Sequence, residues 1–387
     1  MTETKKSPNI VRFGIIGVGG MGQGHCNGIK DVEEAVLTAV CDTDPVTAEK
    51  VGTQHNVPYF THHKQMIDAG LCDAVIVATP HPERPVPAID AMKAGLHLIS
   101  EKPLSERVST ADQMIATAKE TGVTFAIMFQ RRMEPAAAKA IELVHNGAIG
   151  TIRRATLISP EYRNQSYYDS GGWRATWKGE GGGVMMNQSP HVLDLFVQIA
   201  GMPSLVYGNI ETALHNIEVE DVASAMLKYP EGGTGFFYCS TNEAGPGQMI
   251  EIFGDKGKLV LRDGQLKVYE FPVSIPEFTA GEHDMWDGPE CKEVPITLEG
   301  KAPGHRGVIR NVARHILYGE PLVSPGEEGL YSLELANAVM LSSYTKKPVS
   351  LPINRKEYDD FLQEMRSKST FVKQVKQIKR KTDPRHK

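Results

Sequence analysis

The chain reads as an α/β protein in two parts. A doubly wound parallel sheet comes first, followed by an α+β domain built on an open-faced, mostly antiparallel sheet. Three features predict this. A run of β-formers, Val11 to Ile16, breaks into glycines at Gly17, Gly19 and Gly22, the G-x-G-x-x-G spacing of a buried strand turning sharply into a helix. Short apolar runs and helix-length segments then alternate as far as Met128, as right-handed β-α-β crossovers do. Past Gln130-Arg131-Arg132 the strands lengthen, and hairpin punctuation separates them.

Taken in order, Val11 to Ile16 is the first strand, and the glycine turn opens the first helix. Gly17 allows the tight turn, Gly19 lets a pyrophosphate approach bare backbone, and Gly22 permits close packing of helix on strand. Gly20 and Met21 lie in the same turn, whose exposed N–H groups face the phosphates. A glycine turn alone is a weak signal, but the next apolar run, Ala35 to Cys41, ends in Asp42, twenty residues past Gly22. A ribose-binding acid belongs there. Asp44 then caps a helix with Pro45 at its first position, and Tyr59-Phe60 is a short third strand. Ala74 to Ala78 is a continuous apolar run, as expected of a strand covered on both faces. It ends in the turn Thr79-Pro80-His81-Pro82. Arg84 to Ala94 forms a helix closed by Gly95, and His97 to Ser100 the next strand. Glu101-Lys102-Pro103 follows at once. Ser109 opens a helix that stops at Gly122, and Thr124 to Met128 is the sixth strand.

The second part starts with a helix from Pro135 to Asn146, ending at Gly147. Strands follow from Thr151, with hairpin turns at Glu231-Gly232-Gly233, Asp255-Lys256-Gly257 and Asp263-Gly264. Helices are expected near Gly183 to Ala200, His305 to Tyr318 and Gly326 to Thr345. The stretch from Phe271 to Pro303 lacks periodicity and reads as a long loop. The boundaries expected are a first domain over 9–130, a second over 131–365 and a basic tail over 366–387. That tail reads either as solvated or as docking on a neighbouring subunit.

Composition narrows the function classes. With 387 residues, 41% hydrophobic and 23% charged, the chain can bury a large core in two domains. A net charge of −5 argues against a nucleic-acid partner, whose footprint would be basic. Five scattered cysteines with no C-x-x-C pair point to reduced thiols in the cytoplasm and no zinc site. No apolar stretch approaches the roughly 20 residues that a membrane helix requires, and the first ten residues lack the apolar core of a signal peptide. His62-His63, His81 and His97 share no spacing with carboxylates, so no metal is expected.

Two stations could carry chemistry. Lys102 stands at the carboxyl end of a strand, where ligands of open α/β sheets bind. It is either a proton-handling group tuned by burial or a surface lysine. The second station is Gly181 to Asp194, GGGVMMNQSPHVLD. Asn187 and His191 lie four apart and share a helix face. His191 has the side chain whose ordinary pKa suits proton shuttling, although a histidine before an apolar run is also a common structural feature. Asp194 either orients His191 or caps surface charge. Trp173-Arg174 and Trp177-Lys178 offer an aromatic and basic wall for a polyol or sugar, or simply core packing and a salt bridge.

In this order the stations resemble the Gfo/Idh/MocA oxidoreductase family over about Asn9 to Phe361. GIIGVGGMG at Gly14 to Gly22, VATPHP at Val77 to Pro82, SEKPLS at Ser100 to Ser105, FQRRMEP at Phe129 to Pro135 and GGGVMMNQSPHVLDL at Gly181 to Leu195 carry the likeness. The resemblance implies a Rossmann domain, a C-terminal open-faced sheet used in homo-oligomers (dimer or tetramer), and oxidation or reduction of sugars, inositols or their derivatives with NAD(P). It makes Lys102 the lysine of the E-K-P motif and His191 the acid/base. Cofactor contacts are then expected from Gly17, Gly19, Gly20, Met21, Gly22, Asp42, Thr79, Pro80, His81, Glu101, Lys102 and Gln130. Substrate contacts are expected from Lys102, Arg131, Trp173, Arg174, Asn187 and His191. Many polyol dehydrogenases of the family carry aspartate where this chain has Asn187, and an amide cannot stabilise an imidazolium by charge. The Asn-Gln-x-x-His version resembles the branch acting on glycosides and nucleotide sugars, including enzymes that oxidise a C3 hydroxyl. The acid at Asp42 favours NAD over NADP by repelling a 2′-phosphate. Two other readings stand beside a dehydrogenase. One is a redox glycosidase that oxidises C3 transiently; the other is an NAD- or sugar-sensing regulator without turnover.

Overall fold

The computed structural model describes residues 10–376. Among them the chain divides into two units, 10–130 with 303–330 and 131–302 with 331–376.

The first unit holds a six-stranded sheet of β1 (Val11–Ile16), β2 (Ala35–Cys41), β3 (Tyr59–Phe60), β4 (Ala74–Val77), β5 (His97–Ser100) and β6 (Phe125–Ile127). Its order is β3-β2-β1-β4-β5-β6 and every pairing is parallel. This is the doubly wound order whose chain reversal beside β1 places a crevice at the carboxyl ends of β1 and β4. All four residues of β4 are buried, as covering on both faces requires. The helices stop and start where local chemistry dictates. Asp44 accepts the Thr47 N–H at 3.2 Å ahead of Pro45–His55, and Gly122, at φ +69°, ends Val108–Thr121.

One segment departs from the sequence expectation. The helix His305–Tyr318, expected in the second domain, belongs to the first unit. Its Arg314 pairs with Glu34 at 2.7 Å and with Glu320 at 2.5 Å, and Arg306 reaches Asp31 at 3.2 Å. Ser324, further along, donates to the Ile127 carbonyl at 2.7 Å. The chain therefore returns to cover the first sheet after completing most of the second.

The second unit is built on β7 (Ile152–Pro160), β8 (Leu205–Glu211), β9 (Val222–Lys228), β10 (Thr234–Ser240), β11 (Met249–Gly254), β12 (Gly257–Arg262), β13 (Gln265–Glu270), β14 (Lys292–Val294) and β15 (Val349–Ser350). The order is β14-β13-β12-β11-β7-β10-β9-β8-β15, antiparallel except for β7 with β10. Burial alternates along β11 and β12, the mark of a sheet with one face on a core. Leu157, Phe237, Ile252 and Leu259 point inward. The helix Gly329–Thr345, cut by the unit boundary after Leu330, lies on β8, where Ser342 Oγ accepts the Gly208 N–H at 2.9 Å. The hairpin turns fall where glycine placed them. Asp263 and Gly264 both adopt positive φ, 48° and 79°, between β12 and β13, as a two-residue primed turn demands.

Two further expectations are corrected. The Phe271 to Pro303 stretch is not all loop, since it contains a helix, Ile275–Ala280, capped by Ser274, and β14. The expected helix through Gly183 to Ala200 is two pieces, Val184–Asn187 and Pro190–Ala200. Pro190 opens the second piece because a missing N–H costs nothing in a first turn. No helix of the described residues is long and apolar enough to cross a membrane.

Candidate active site

The glycine turn behaves as its spacing predicts. Gly17 sits at φ +88°, and a Cβ on it would come within 2.9 Å of the Ala78 and Thr79 backbone. A Cβ on Gly22 would lie 2.0 Å from the Gly17 carbonyl oxygen, so the helix can approach the strand only without one. Around Gly19 and Gly20 a Cβ would meet nothing within 4 Å. The start of the helix Gly20–Ile29 is therefore bare backbone facing open space, which is what a pyrophosphate needs. Asp42 accepts the Val18 N–H at 2.9 Å and the Asp44 N–H at 3.0 Å, which holds its carboxylate beside the turn.

Two of the expected cofactor-binding residues, Thr79 and Gln130, have a buried oxygen, Oγ1 and Oε1, without a hydrogen-bond partner. Orphaned acceptors or hydroxyls are costly unless something else satisfies them, and a dinucleotide fits that need. These contrasts define one test. Gly22→Ala is expected to destabilise the chain by about 1–3 kcal/mol through overpacking. Gly19→Ala is expected to melt like the wild type yet bind NADH more weakly, with calorimetry and thermal melts separating the two.

At the carboxyl end of β5, Lys102 precedes a cis peptide to Pro103. Glu101 is buried and engaged from two sides. Its Oε1 lies 2.8 Å from His25 Nε2, and its Oε2 accepts the Lys102 N–H at 3.1 Å. Burial alone would raise its pKa, but His25, with His305 and Lys102, outweighs burial and holds it well below the ordinary carboxylate range. Glu101 therefore holds the backbone of Lys102. His81 is buried and Pro80 exposed on the turn after β4; Met21 is exposed on the glycine turn.

Arg84 escaped the sequence reading. It is buried, and its guanidinium donates to the Thr79 carbonyl at 2.7 Å and to the Pro103 carbonyl. It thereby pins the loop after β4 to the loop after β5. Burial pushes its pKa down to about 10 against the opposing pull of Glu101. An arginine opening a helix carries no local sign of such a task.

In the second unit, Asn187 ends one short helix and His191 stands in the first turn of the next. Asn187 Nδ2 donates to Glu180, and its Oδ1 accepts the Tyr167 hydroxyl at 3.3 Å. The Tyr167 oxygen accepts from Arg174 at 2.7 Å and from Gln188 at 3.0 Å. Glu180 also accepts the Ala175 N–H at 2.5 Å. Arg174 lies over the rings of Tyr167 and Trp173, at 4.4 and 4.5 Å from their centroids. Arg174 thus stacks on both Tyr167 and Trp173, while Tyr167 and Glu180 escape the sequence reading because no spacing links them to Asn187. Burial raises the Tyr167 pKa, so the phenol stays protonated and can donate to Asn187. The carboxylate that Asn187 lacks is supplied one hydrogen bond behind it.

Glu220 holds this loop from below. It accepts the Gly183 and Met185 N–H groups at 2.8 and 3.1 Å, and burial pushes its pKa up to about 7. A Cβ on Gly183 would lie 1.9 Å from the Glu220 carbonyl, which explains the glycine.

Two further candidates are held by partners elsewhere in the chain. Asp194 does not cap the surface; it is buried and gripped by Arg132 at 2.6 and 2.8 Å. Arg131, expected at the substrate, is bound to Gln248 at 2.6 Å and Glu134 at 3.0 Å.

A glycine cradle fitted to a dinucleotide and a lysine at the strand end beside it define a nicotinamide-dependent oxidoreductase. Residues 11–129 match the model described as oxidoreductase family, NAD-binding Rossmann fold, and residues 137–260 the model of the GFO/IDH/MocA C-terminal domain. The chain belongs to the Gfo/Idh/MocA oxidoreductase family. It is 26% identical over 353 residues to myo-inositol 2-dehydrogenase of Thermotoga maritima, covering 88% of this chain and 98% of that one. It is likewise 26% identical over 361 residues to scyllo-inositol 2-dehydrogenase (NAD(+)) of Bacillus subtilis, covering 89% and 97%. The WlbA dehydrogenase of Bordetella pertussis, solved with NADH and UDP-GlcNAcA, superposes with a TM-score of 0.75 at 26% identity, covering 89% of this chain and all of that one.

Proposed function

We propose that the chain transfers hydride between NAD and a secondary hydroxyl of a sugar, glycoside or polyol, with Lys102 and His191 handling the proton. The observation that carries the reading is the Asn187 station. His191 opens the helix that follows an amide held by Glu180 and Tyr167, and Arg174 donates to that tyrosine while stacking on Trp173, a polar and aromatic setting suited to a polyhydroxyl ring. Inositol dehydrogenases among the relatives support the substrate class.

Gly17, Gly19, Gly20, Met21 and Gly22 would hold the pyrophosphate, Asp42 the adenosine ribose, and Thr79, Pro80, His81 and Gln130 the remainder of the cofactor. Bound nicotinamide supplies the hydride acceptor. Lys102, fixed through Glu101, binds the reacting oxygen. His191 takes the hydroxyl proton as the C–H bond breaks, and returns one in the reverse direction. Trp173 and Arg174 orient the ring, which contributes the proximity term. The Asn-Gln-x-x-His form favours a glycoside, with its C3 hydroxyl the reacting one. Four buried free thiols, at Cys26, Cys41, Cys72 and Cys239, accord with the cytoplasm. Tyr207, Met226 and Phe236 are exposed at neighbouring register positions on β8, β9 and β10, an apolar stripe that suits a homo-oligomer.

The test is an NADH-formation screen across inositols, free sugars and glycosides, run with NAD and NADP on the wild type and on Asp42→Ala. Glycosides are expected to outrun free glucose, and Asp42→Ala to weaken NAD and relax the preference over NADP. Aglycone release without net NADH would instead identify a redox glycosidase. Cofactor and sugar binding with no turnover would identify a sensor.

A further inference from the structure

Glu180 is buried, and both of its carboxylate oxygens are engaged. One accepts the Ala175 N–H at 2.5 Å, and the other accepts from the side-chain amide of Asn187. An ionised carboxylate only accepts, so the NH2 group of Asn187 must be the end turned toward it. Asn187 Oδ1 is thereby turned to the Tyr167 hydroxyl, 3.3 Å away.

The phenol is constrained from its own side. Its oxygen accepts from Arg174 Nη1 at 2.7 Å and from Gln188 Nε2 at 3.0 Å. Both of those nitrogens only donate, and together they occupy the two lone pairs of a hydroxyl oxygen. The guanidinium groups of Arg174 and Arg163 also lie over the Tyr167 ring, at 4.4 and 5.2 Å from its centroid, and neither can accept a proton. The phenolic hydrogen is left for Asn187 Oδ1. Flipping the amide would set its NH2 against an oxygen whose lone pairs are taken, and its Oδ1 against a carboxylate. An acid at 187 would set carboxylate against carboxylate with no hydrogen between them.

We propose that Glu180 and Tyr167 are positioning residues of the sugar site: they hold Asn187 in one orientation, and Glu180 dictates that position 187 carry an amide. The assignment rests on the proposed place of Asn187 at the substrate. It makes acid and amide exchangeable, but only as a pair. With Glu180→Gln and Asn187→Asp together, the new amide accepts the Ala175 N–H and donates to the new acid, whose second oxygen takes the Tyr167 hydrogen. Every donor again meets an acceptor, and the summed charge beside Arg174 is unchanged. Either substitution alone leaves two donors or two acceptors facing each other.

Steady-state kinetics on the full chain with NAD test this, using myo-inositol and methyl β-D-glucopyranoside as probes. Each variant is assayed well below its own melting temperature, so that a folding defect cannot pass for a lost orientation. Glu180→Gln and Asn187→Asp are each expected to lower kcat/KM by about 10-fold or more, the scale of a hydrogen bond to a charged group. The exchanged pair should regain about 10-fold over the weaker single variant, which is the mark of a direct interaction. Tyr167→Phe keeps the ring beneath Arg174 and should also lose kcat/KM, while NADH affinity holds in all four variants. A lowered melting temperature with near-normal kcat/KM in Glu180→Gln marks a purely structural carboxylate and overturns the proposal. So does loss in both single variants without recovery in the pair. Should Glu180→Gln fail to fold, normal kcat/KM in Tyr167→Phe overturns it instead. A wild type that binds NADH but turns over neither these probes nor any other alcohol of the screen overturns the sugar reading, and the positioning role with it.

Discussion

His191→Ala and Lys102→Ala are each expected to lower kcat by about 10²-fold or more, the lower bound for a group that moves a proton in the transition state. His191→Ala should still bind NADH as the wild type does, since the glycine cradle and Asp42 are untouched, whereas Lys102→Ala should also weaken NADH if Lys102 touches the cofactor. The two losses should differ in their dependence on pH. An imidazole that accepts the hydroxyl proton gives the oxidation rate a rise through its titration range, and His191→Ala should flatten that rise. Lys102 is fixed by the Glu101–His25 pair, so Glu101→Gln should cost turnover through Lys102 while leaving the His191 limb of the profile in place. Near-normal turnover in either alanine variant removes that residue from the chemistry.

Why the first unit was so legible is a matter of range. A parallel strand covered on both faces must be apolar throughout, and a glycine turn at a helix start must leave room for phosphate. Both demands are met within a few residues, as at Ala74–Val77 and Gly17 to Gly22. The hairpin at Asp263-Gly264 is local in the same way. What escaped depends on partners far along the chain. The helix His305–Tyr318 carries an ordinary amphipathic pattern, and distant partners such as Glu34, 280 residues from Arg314, show which sheet it covers. Asp194 looks like a partner for His191 because it stands three residues away, while the group that claims it, Arg132, lies 62 residues upstream. Tyr167, on the short helix Gln165–Asp169, and Glu180, in the turns after it, complete the Asn187 station with no periodicity to announce them. The described part of the basic tail is likewise held from afar, by the pairing of Lys376 with Asp169 at 2.8 Å; 377–387 lie outside the described residues. Spacing reveals a group's neighbours along an element, and says little about what folds back on it.

Asp194→Ala is expected to destabilise the chain by about 3–5 kcal/mol, the usual cost of removing one partner of a buried ion pair. Arg132 and Asp194 are only 4% and 3% exposed, and the guanidinium grips the carboxylate through two hydrogen bonds. Deleting the acid strands a fully buried cation. The larger effect therefore comes from the charge left behind, more than from the attraction lost. Replacing both partners separates the two, because an apolar pair of similar volume leaves no charge to desolvate. Arg132→Met with Asp194→Leu should recover most of the stability that Asp194→Ala loses, as read from urea midpoints at unchanged slope. The same variants decide between the two roles open to Asp194. It sits on the helix Pro190–Ala200 that also carries His191. If it were the carboxylate behind that imidazole, the double variant would stay inactive even when stable. Recovery of turnover along with stability marks the pair as a brace for the helix. Stability regained without turnover would return Asp194 to the chemistry.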